Sequence, residues 1–151
     1  MSEGPILICY DGSEGARRAI ATAAGLLGPR QAVVLDVGPA LTVAESIALT
    51  SSVVPGNAFE ELNEADALVR ARDGARLANE AGFRARARAT LGTPTWEGIA
   101  DVADELDAPL IVVGSRALSR LREFFEGSVS EDVVHHAGRP VLIVPPPHDE
   151  R

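Results

Sequence analysis

The chain has 151 residues and a formal net charge of −8, with 46% hydrophobic but only 4% aromatic residues. This length fits one domain with a well-buried aliphatic core, which suits a parallel sheet covered on both faces by helices. The acidity argues against binding to nucleic acids and to anionic membranes, since both require clustered cations. All 14 cationic side chains are arginine, which excludes Schiff-base chemistry and a Walker A lysine.

The single cysteine, Cys9, cannot form an intramolecular disulfide, which fits a reducing compartment. The sequence contains no run of 18 apolar residues and no basic segment ahead of an apolar one at its start. We therefore expect neither a membrane span nor a signal peptide. The prediction is a cytoplasmic protein with one domain over residues 1–147 and a frayed tail over residues 148–151.

The first elements in the chain are predicted to be a strand, a helix and a second strand. The runs Ile6–Tyr10 and Ala32–Val37 have the length and apolar content of buried strands. The helix between them is indicated by an apolar stripe: Ala16, Ile20, Ala23 and Leu27. The segment 38–58 is long for a connection in a compact domain, and a short helix over 42–49 is predicted within it.

The next elements continue the alternation. A long helix is predicted from the stripe Leu62, Ala65, Val69 and Leu77. The following run, Phe83–Ala89, alternates apolar residues with arginines, which predicts an edge strand with one solvated face. Another helix is indicated by Trp96, Ile99, Ala103 and Leu106, which have clean helical spacing.

The last elements are two strands and a helix. Leu110–Val113 and Val141–Val144 are the strands, while Val129 and Val133 mark the helix, which we expect Gly138 to end. Strands and helices thus alternate along the whole chain. This alternation implies a parallel, doubly wound sheet with right-handed crossovers.

Ligands of such sheets bind beyond the carboxyl ends of the strands, at the point where the strand order reverses. The first strand ends in Tyr10-Asp11-Gly12-Ser13. Asp11 could accept hydrogen bonds from a ribose hydroxyl or help to hold a cation. It could equally be a turn residue ahead of a helix capped by Ser13, and the residues alone leave both interpretations open.

The fourth strand is followed by Gly114 and a segment rich in arginine. Ser128 and Glu131 have the spacing of a capping box, which predicts a helix start just after Gly127. Free N–H groups and the helix dipole favour an anion there, and Ser128 and Ser130 offer hydroxyl donors. Positive charge is supplied by Arg116, Arg120 and Arg122. An ordinary capped helix that binds nothing is the alternative.

The segment from Gly114 to Ser128 resembles the signature of the universal stress protein family, Gly-x2-Gly-x9-Gly-[Ser/Thr]. The spacing is kept in full, with Ala117 in place of the second glycine. The opening Ile6–Ser13 and the closing His135–Pro145 are similar to the family's first strand and last helix-to-strand passage. The resemblance therefore covers nearly the whole chain.

The resemblance implies a flavodoxin-like, three-layer α/β/α sandwich with a five-stranded parallel sheet in the order 3-2-1-4-5. It also implies an ATP-binding regulatory protein of the stress response, with Mg²⁺ accompanying the nucleotide through its phosphate oxygens. Asp11 would face the ribose, Val37 would line the adenine pocket and the segment 127–130 would hold the phosphates. The implied cofactor-binding residues are Tyr10, Asp11, Val37, Val113, Gly114, Arg116, Ala117, Gly127, Ser128, Val129 and Ser130.

The resemblance further implies a homodimer paired through the last strand, Val141–Val144. A dimeric interaction protein that binds no nucleotide is the alternative, and Ala117 favours it. If the family's glycine has a positive φ at this position, alanine there costs on the order of 1 kcal/mol or more. No residue stands out as a general base, so we expect a protein that is not an enzyme, with slow ATP hydrolysis left open.

Overall fold

The computed structural model describes residues 4–38, 56–91, 95–114 and 137–147 of the chain. Its centre is a five-stranded sheet in which every neighbouring pair is parallel. The strands are β1 (Ile6–Cys9), β2 (Gln31–Gly38), β3 (Arg84–Leu91), β4 (Ile111–Gly114) and β5 (Val141–Val144). Their order is β3-β2-β1-β4-β5, which confirms the predicted fold and strand order.

Three helices are described: α1 (Glu14–Leu27), α2 (Gly56–Glu80) and α3 (Thr95–Leu106). The start of α1 confirms the predicted cap, since the Ser13 hydroxyl oxygen accepts a hydrogen bond from the Ala16 amide at 3.2 Å. Such a cap satisfies one of the amide groups that the first turn of a helix leaves without an intrahelical partner.

The helices cover the sheet from both sides. On one face, Ile8 and Val34 pack with Ile20 of α1 and the alanines of α2. On the other face, Leu7 and Leu35 pack with α3. Because the central strands are buried on both faces, they are continuous apolar runs rather than alternating ones, as parallel sheets require.

The buried face of α2 differs from the predicted stripe. Ala65 is exposed and Val69 has 64% of its surface exposed, although both were expected to face the core. The described residues that α2 buries are small: Ala67, Ala71, Gly74, Ala75 and Ala78. Small side chains let the helix approach the sheet closely, and a search for large apolar residues at helical spacing misses such a face.

The two edges of the sheet are β3 and β5. The edge position of β3 confirms the prediction from its alternating pattern, with Arg84 and Arg86 exposed. The predicted short helix over 42–49, and Val129 and Val133 of the predicted last helix, lie outside the described residues. Gly138 follows helical Ala137 with a φ of 61°, a conformation typical of a glycine that ends a helix.

Arg139 connects the end of α3 to the start of β5. Its guanidinium donates to the carbonyl oxygens of Ala103 at 2.8 Å and Ala108 at 2.7 Å, and to that of Ala137 at 3.1 Å. It also pairs with the Asp104 carboxylate. One largely buried cation therefore satisfies three backbone acceptors where the chain leaves α3 and enters the last strand.

None of the helices in the described ranges is both long and apolar enough to cross a bilayer.

Candidate functional site

The strand order reverses between β1 and β4. From β1 the chain runs outward through β2 to β3, and after α3 it returns to the other side of β1 as β4. The two strands are aligned directly, with Leu7 opposite Ile111 and Ile8 opposite Val112. The turn after β1 and the end of β4 therefore meet at one crevice, which is the usual ligand position in this class of sheet.

The first turn of α1 lies against the end of β4. Gly114 is buried, and a Cβ atom at this position would stand 2.7 Å from the carbonyl oxygen of Gly15. Only glycine allows the two backbones to approach this closely. The family resemblance predicts that Gly114 lies beside the ligand. The structure shows that it also holds the start of α1 beside β4, where the helix N-terminus faces the crevice.

Asp11 occupies the turn that leads from β1 into α1. Its Oδ1 accepts a hydrogen bond from the Ser13 amide at 2.9 Å, so the turn interpretation of Asp11 is confirmed. A carboxylate has about four lone-pair positions on two oxygens, so this contact is compatible with a ligand hydroxyl at the same group. Gly12 follows with a φ of 83°, which a residue with a side chain rarely adopts.

Tyr10 points away from the crevice. Its ring is buried against α2, and its hydroxyl donates to Asp73 Oδ2 at 2.7 Å. Arg76 also binds Asp73, at 2.8 Å. Burial, with a further contribution from Asp73, raises the pKa of the Tyr10 phenol. The hydrogen bond from Tyr10 in turn lowers the pKa of Asp73. The Tyr10 side chain therefore joins β1 to α2.

An ion pair that the sequence analysis missed lies beside the crevice. Asp36 of β2 is 4% exposed, and its Oδ2 is 2.5 Å from Nε of Arg70 on α2. The hydrogen bond from Arg70 to Asp36 raises the pKa of the arginine. The Arg70 side chain also passes the turn after β1, since its Cδ would be 3.9 Å from a Cβ at Gly12. The signal was a lone carboxylate inside an otherwise apolar strand.

The remaining predicted residues divide into two groups. Val113 is 2% exposed and packs in the core on the α3 face, while Val37 is aligned with Thr90 near the end of β2. The others lie outside the described residues: Arg116, Ala117, Gly127, Ser128, Val129 and Ser130. The structure thus brings Asp11 and Gly114 to one crevice and places the side chains of Tyr10 and Val113 within the core.

Cys9 is buried at the end of β1 on the α3 face. Burial, with smaller contributions from Asp36 and Asp11, raises the pKa of its thiol to about 12. The thiol is therefore neutral near pH 7, and a neutral, buried thiol is a poor nucleophile. Across the described ranges, no group of three or more histidine, cysteine or acidic residues has an arrangement that suits a metal ion.

The strand order and the helices on both faces place this protein in the class of doubly wound, flavodoxin-like α/β folds. The model of the universal stress protein family matches residues 4–145, and the chain therefore belongs to that family. Universal stress protein YxiE of Bacillus subtilis is 35% identical over 144 residues, which cover 92% of this chain and 97% of YxiE.

Solved structures share the fold. Protein MJ0577 of Methanocaldococcus jannaschii superposes with a TM-score of 0.69 at 22% identity, covering 99% of this chain and 100% of that one. A universal stress protein family protein from Arabidopsis thaliana with AMP bound superposes with a TM-score of 0.63 at 19% identity, covering 97% of this chain and 94% of that one.

Proposed function

We propose that this protein binds an adenine nucleotide, ATP in particular, and acts as a cytoplasmic regulatory protein of the stress response. The observation that carries the proposal is the meeting of the Asp11 turn and Gly114 at the switch point of a universal stress protein fold. The AMP-bound Arabidopsis protein, which has the same fold, supports the choice of ligand.

Two features of the described part of the crevice support a nucleotide as the ligand. Gly12 is exposed, and apart from its two chain neighbours, Arg70 is the only described residue within 4 Å of where its Cβ would be, which leaves room over the turn. Asp11 would bind the ribose and Val37 would line the adenine pocket. Arg70 brings a cation to the same edge, although Asp36 already neutralises much of its charge.

The phosphates would lie against the segment from Gly127 to Ser130, with Arg116 beside them. Mg²⁺ would bind through the phosphate oxygens and neutralise part of their charge. Backbone amides at a helix start bind phosphate well because their donors have no intrahelical partner. We propose that the protein recognises the nucleotide and is not an enzyme, with slow ATP hydrolysis left open.

Calorimetric titration with ATP and Mg²⁺ tests the proposal. We expect the wild type to bind, Gly127→Glu to abolish binding because its carboxylate repels phosphate, and Ala117→Gly to bind more tightly. Asp11→Asn should bind about tenfold more weakly if a charged ribose contact worth about 1.4 kcal/mol is lost. Asp101→Asn changes an exposed carboxylate on α3 and is the matched control, with unchanged affinity.

Equal affinity in all five proteins would refute the proposed site. If the wild type is folded by circular dichroism but does not bind ATP, the result would instead support the interaction protein that binds no nucleotide.

We also propose a homodimer formed through β5. Val141–Val144 is an edge strand in the described sheet, and it is apolar and only partly buried apart from Val144. An edge of this kind pairs readily with another strand. Ile143→Pro, which removes an amide that points away from β4, should convert the dimer to a monomer in sedimentation. A wild type that is monomeric at micromolar concentration would refute the dimer.

A further inference from the structure

Three arginines line one face of the edge strand β3. Arg84, Arg86 and Arg88 stand at every second position and form what we call the arginine ladder. The intervening alanines Ala85 and Ala87 pack against the core beneath α1 and α2. Successive side chains of a strand point to opposite faces, so the ladder lies on the face that carries α3.

The charge of the ladder is largely unbalanced within the described part of the chain. Arg88 pairs with Glu105 of α3, a residue that is itself exposed. Arg84 and Arg86 are exposed, and neither forms an ion pair with any described residue. In a chain of net charge −8, this row of cations on one strand favours an acidic partner.

Some outward backbone groups of β3 have no partner within the described part of the chain. The Arg84 amide donates to the Arg30 carbonyl beside β2, so the backbone groups of Ala85 point outward. The side chain of Asn79 binds both of them, at 3.0 Å each. The outward groups of Ala87 and Ala89 come next along the edge, and no described residue hydrogen-bonds to them from that side.

We propose that β3 accepts an added strand from a partner protein, in the form of an extended segment with Asp or Glu at every second residue. The segment's backbone would bind the outward groups of Ala87 and Ala89, and its carboxylates would face the arginine ladder. Side chains on an added strand repeat with the same period of two, so its carboxylates have the spacing of the arginine ladder, in which Arg84 and Arg86 form no ion pair with a described residue.

The ladder also selects against the alternative partner, a second copy of β3. Antiparallel pairing of two copies centred on Arg86 would place Arg86 opposite Arg86 and Arg84 opposite Arg88, and like charges directly opposite are destabilising. An open depression of about 450 Å³ at the start of β2 and β3, lined in part by Arg84, Arg86 and Gln31, gives room for the first acidic side chain.

Fluorescence anisotropy with labelled peptides tests the proposal on the full-length protein. The probe is an alternating Thr-Glu peptide of about eight residues, and the control peptide has the same composition with its glutamates in one block. We expect the alternating peptide to bind at least about tenfold more tightly, because only it aligns backbone and charge together. Binding should weaken as salt is raised.

Two test variants and one control separate the contribution of charge to peptide binding from that of backbone hydrogen bonds. Arg84→Glu with Arg86→Glu should abolish binding, whereas Arg72→Glu, an exposed arginine on α2, should leave it unchanged. Ala87→Pro should weaken binding because it removes one outward amide that the added strand would use. The variant should still fold, since proline is tolerated at a strand edge that faces solvent. Thermal melts confirm that each variant folds.

Equal binding of the two peptides would overturn the added strand. So would inorganic polyphosphate binding as tightly as the alternating peptide, or no binding of the alternating peptide at all. The outcome is independent of the nucleotide titration, because the ladder and the crevice lie on different strands.

Discussion

Gly74 of α2 lies so close to the ring of Tyr10 that a Cβ at position 74 would stand 2.7 Å from two ring carbons. The same Cβ would stand 2.7 Å from Cγ1 of Val34. Both contacts are with buried, closely packed groups, so neither neighbour can move away easily. The close packing of α2 on the sheet, and with it the position of the Tyr10 hydroxyl beside Asp73, depends on this glycine.

We therefore expect Gly74→Ala to destabilise the protein. Overpacking of a core costs about 1–3 kcal/mol, which exceeds the gain of up to about 1 kcal/mol from replacing a helical glycine by alanine. Gly25→Ala is the matched control, because an added Cβ there meets nothing within 4 Å. It should stabilise α1 by about 0.5–1 kcal/mol. Urea denaturation of both variants measures the difference, and equal effects would contradict the packing argument.

Gly114→Ala should affect both folding and the crevice. The added Cβ would stand 2.7 Å from the Gly15 carbonyl oxygen, so the first turn of α1 must move. We expect a loss of about 1–3 kcal/mol in the free energy of unfolding, together with weaker ATP binding. Urea denaturation and ATP titration of the same preparation measure both effects. A variant with normal stability and normal affinity would show that the two backbones need not approach closely.

Arg139→Lys should be destabilising although it keeps the charge. A lysine ammonium cannot reproduce the planar set of donors that binds the carbonyls of Ala103, Ala108 and Ala137. Leaving buried carbonyls unsatisfied costs about 1–3 kcal/mol. Arg30→Lys is the control, since Arg30 is exposed and makes one long hydrogen bond of 3.4 Å to Leu27. Its effect should stay within about 0.5 kcal/mol.

The contact between Tyr10 and Asp73 predicts a dependence of stability on pH. The hydrogen bond from Tyr10 and the neighbouring Arg76 lower the pKa of Asp73 in the folded protein. The stabilisation is therefore fully present above the pKa of an unfolded aspartate, about 3.9, and is lost as pH falls through the lower folded value. Wild type and Asp73→Asn should thus differ in free energy of unfolding at pH 7 and converge as pH falls through the lowered pKa of Asp73 in the folded protein.

Tyr10→Phe serves as the control for this dependence. It keeps the ring against Gly74 and removes only the hydroxyl donor, so the acid-induced loss should be smaller than in the wild type. Parallel curves for wild type and Asp73→Asn between pH 7 and pH 3 would show that Asp73 contributes nothing to folding through its charge.

The strands could be predicted from the sequence, whereas the buried face of α2 could not. The strands were recognisable because a central parallel strand is buried on both faces and reads as a short, continuous apolar run, as in Ile6–Cys9. The edge position of β3 was predicted from the alternation of its arginines with apolar residues. The buried face of α2 was not, because its alanines carry little hydrophobic signal and the larger Val69 faces solvent.

The candidate site shows the same division. The Asp11 turn and the Ser13 cap are local patterns within a few residues, so short-range hydrogen bonding was enough to predict them. Asp36 and Arg70 are 34 positions apart in the chain, and only the packing of α2 on β2 brings them together. The phosphate-binding residues from Arg116 to Ser130 remain predictions from the family signature.

The amino-acid sequence by itself determined the alternation of strands and helices, the turn after β1 and the family, because each is encoded in periodicity or in a local motif. Only the tertiary structure decided that Gly114 lets the first turn of α1 approach β4, that Gly74 makes room for the Tyr10 ring and that Arg139 binds three backbone carbonyls. The physical reason is that close approach and hydrogen-bond satisfaction are properties of pairs of elements, and neither partner carries that information alone.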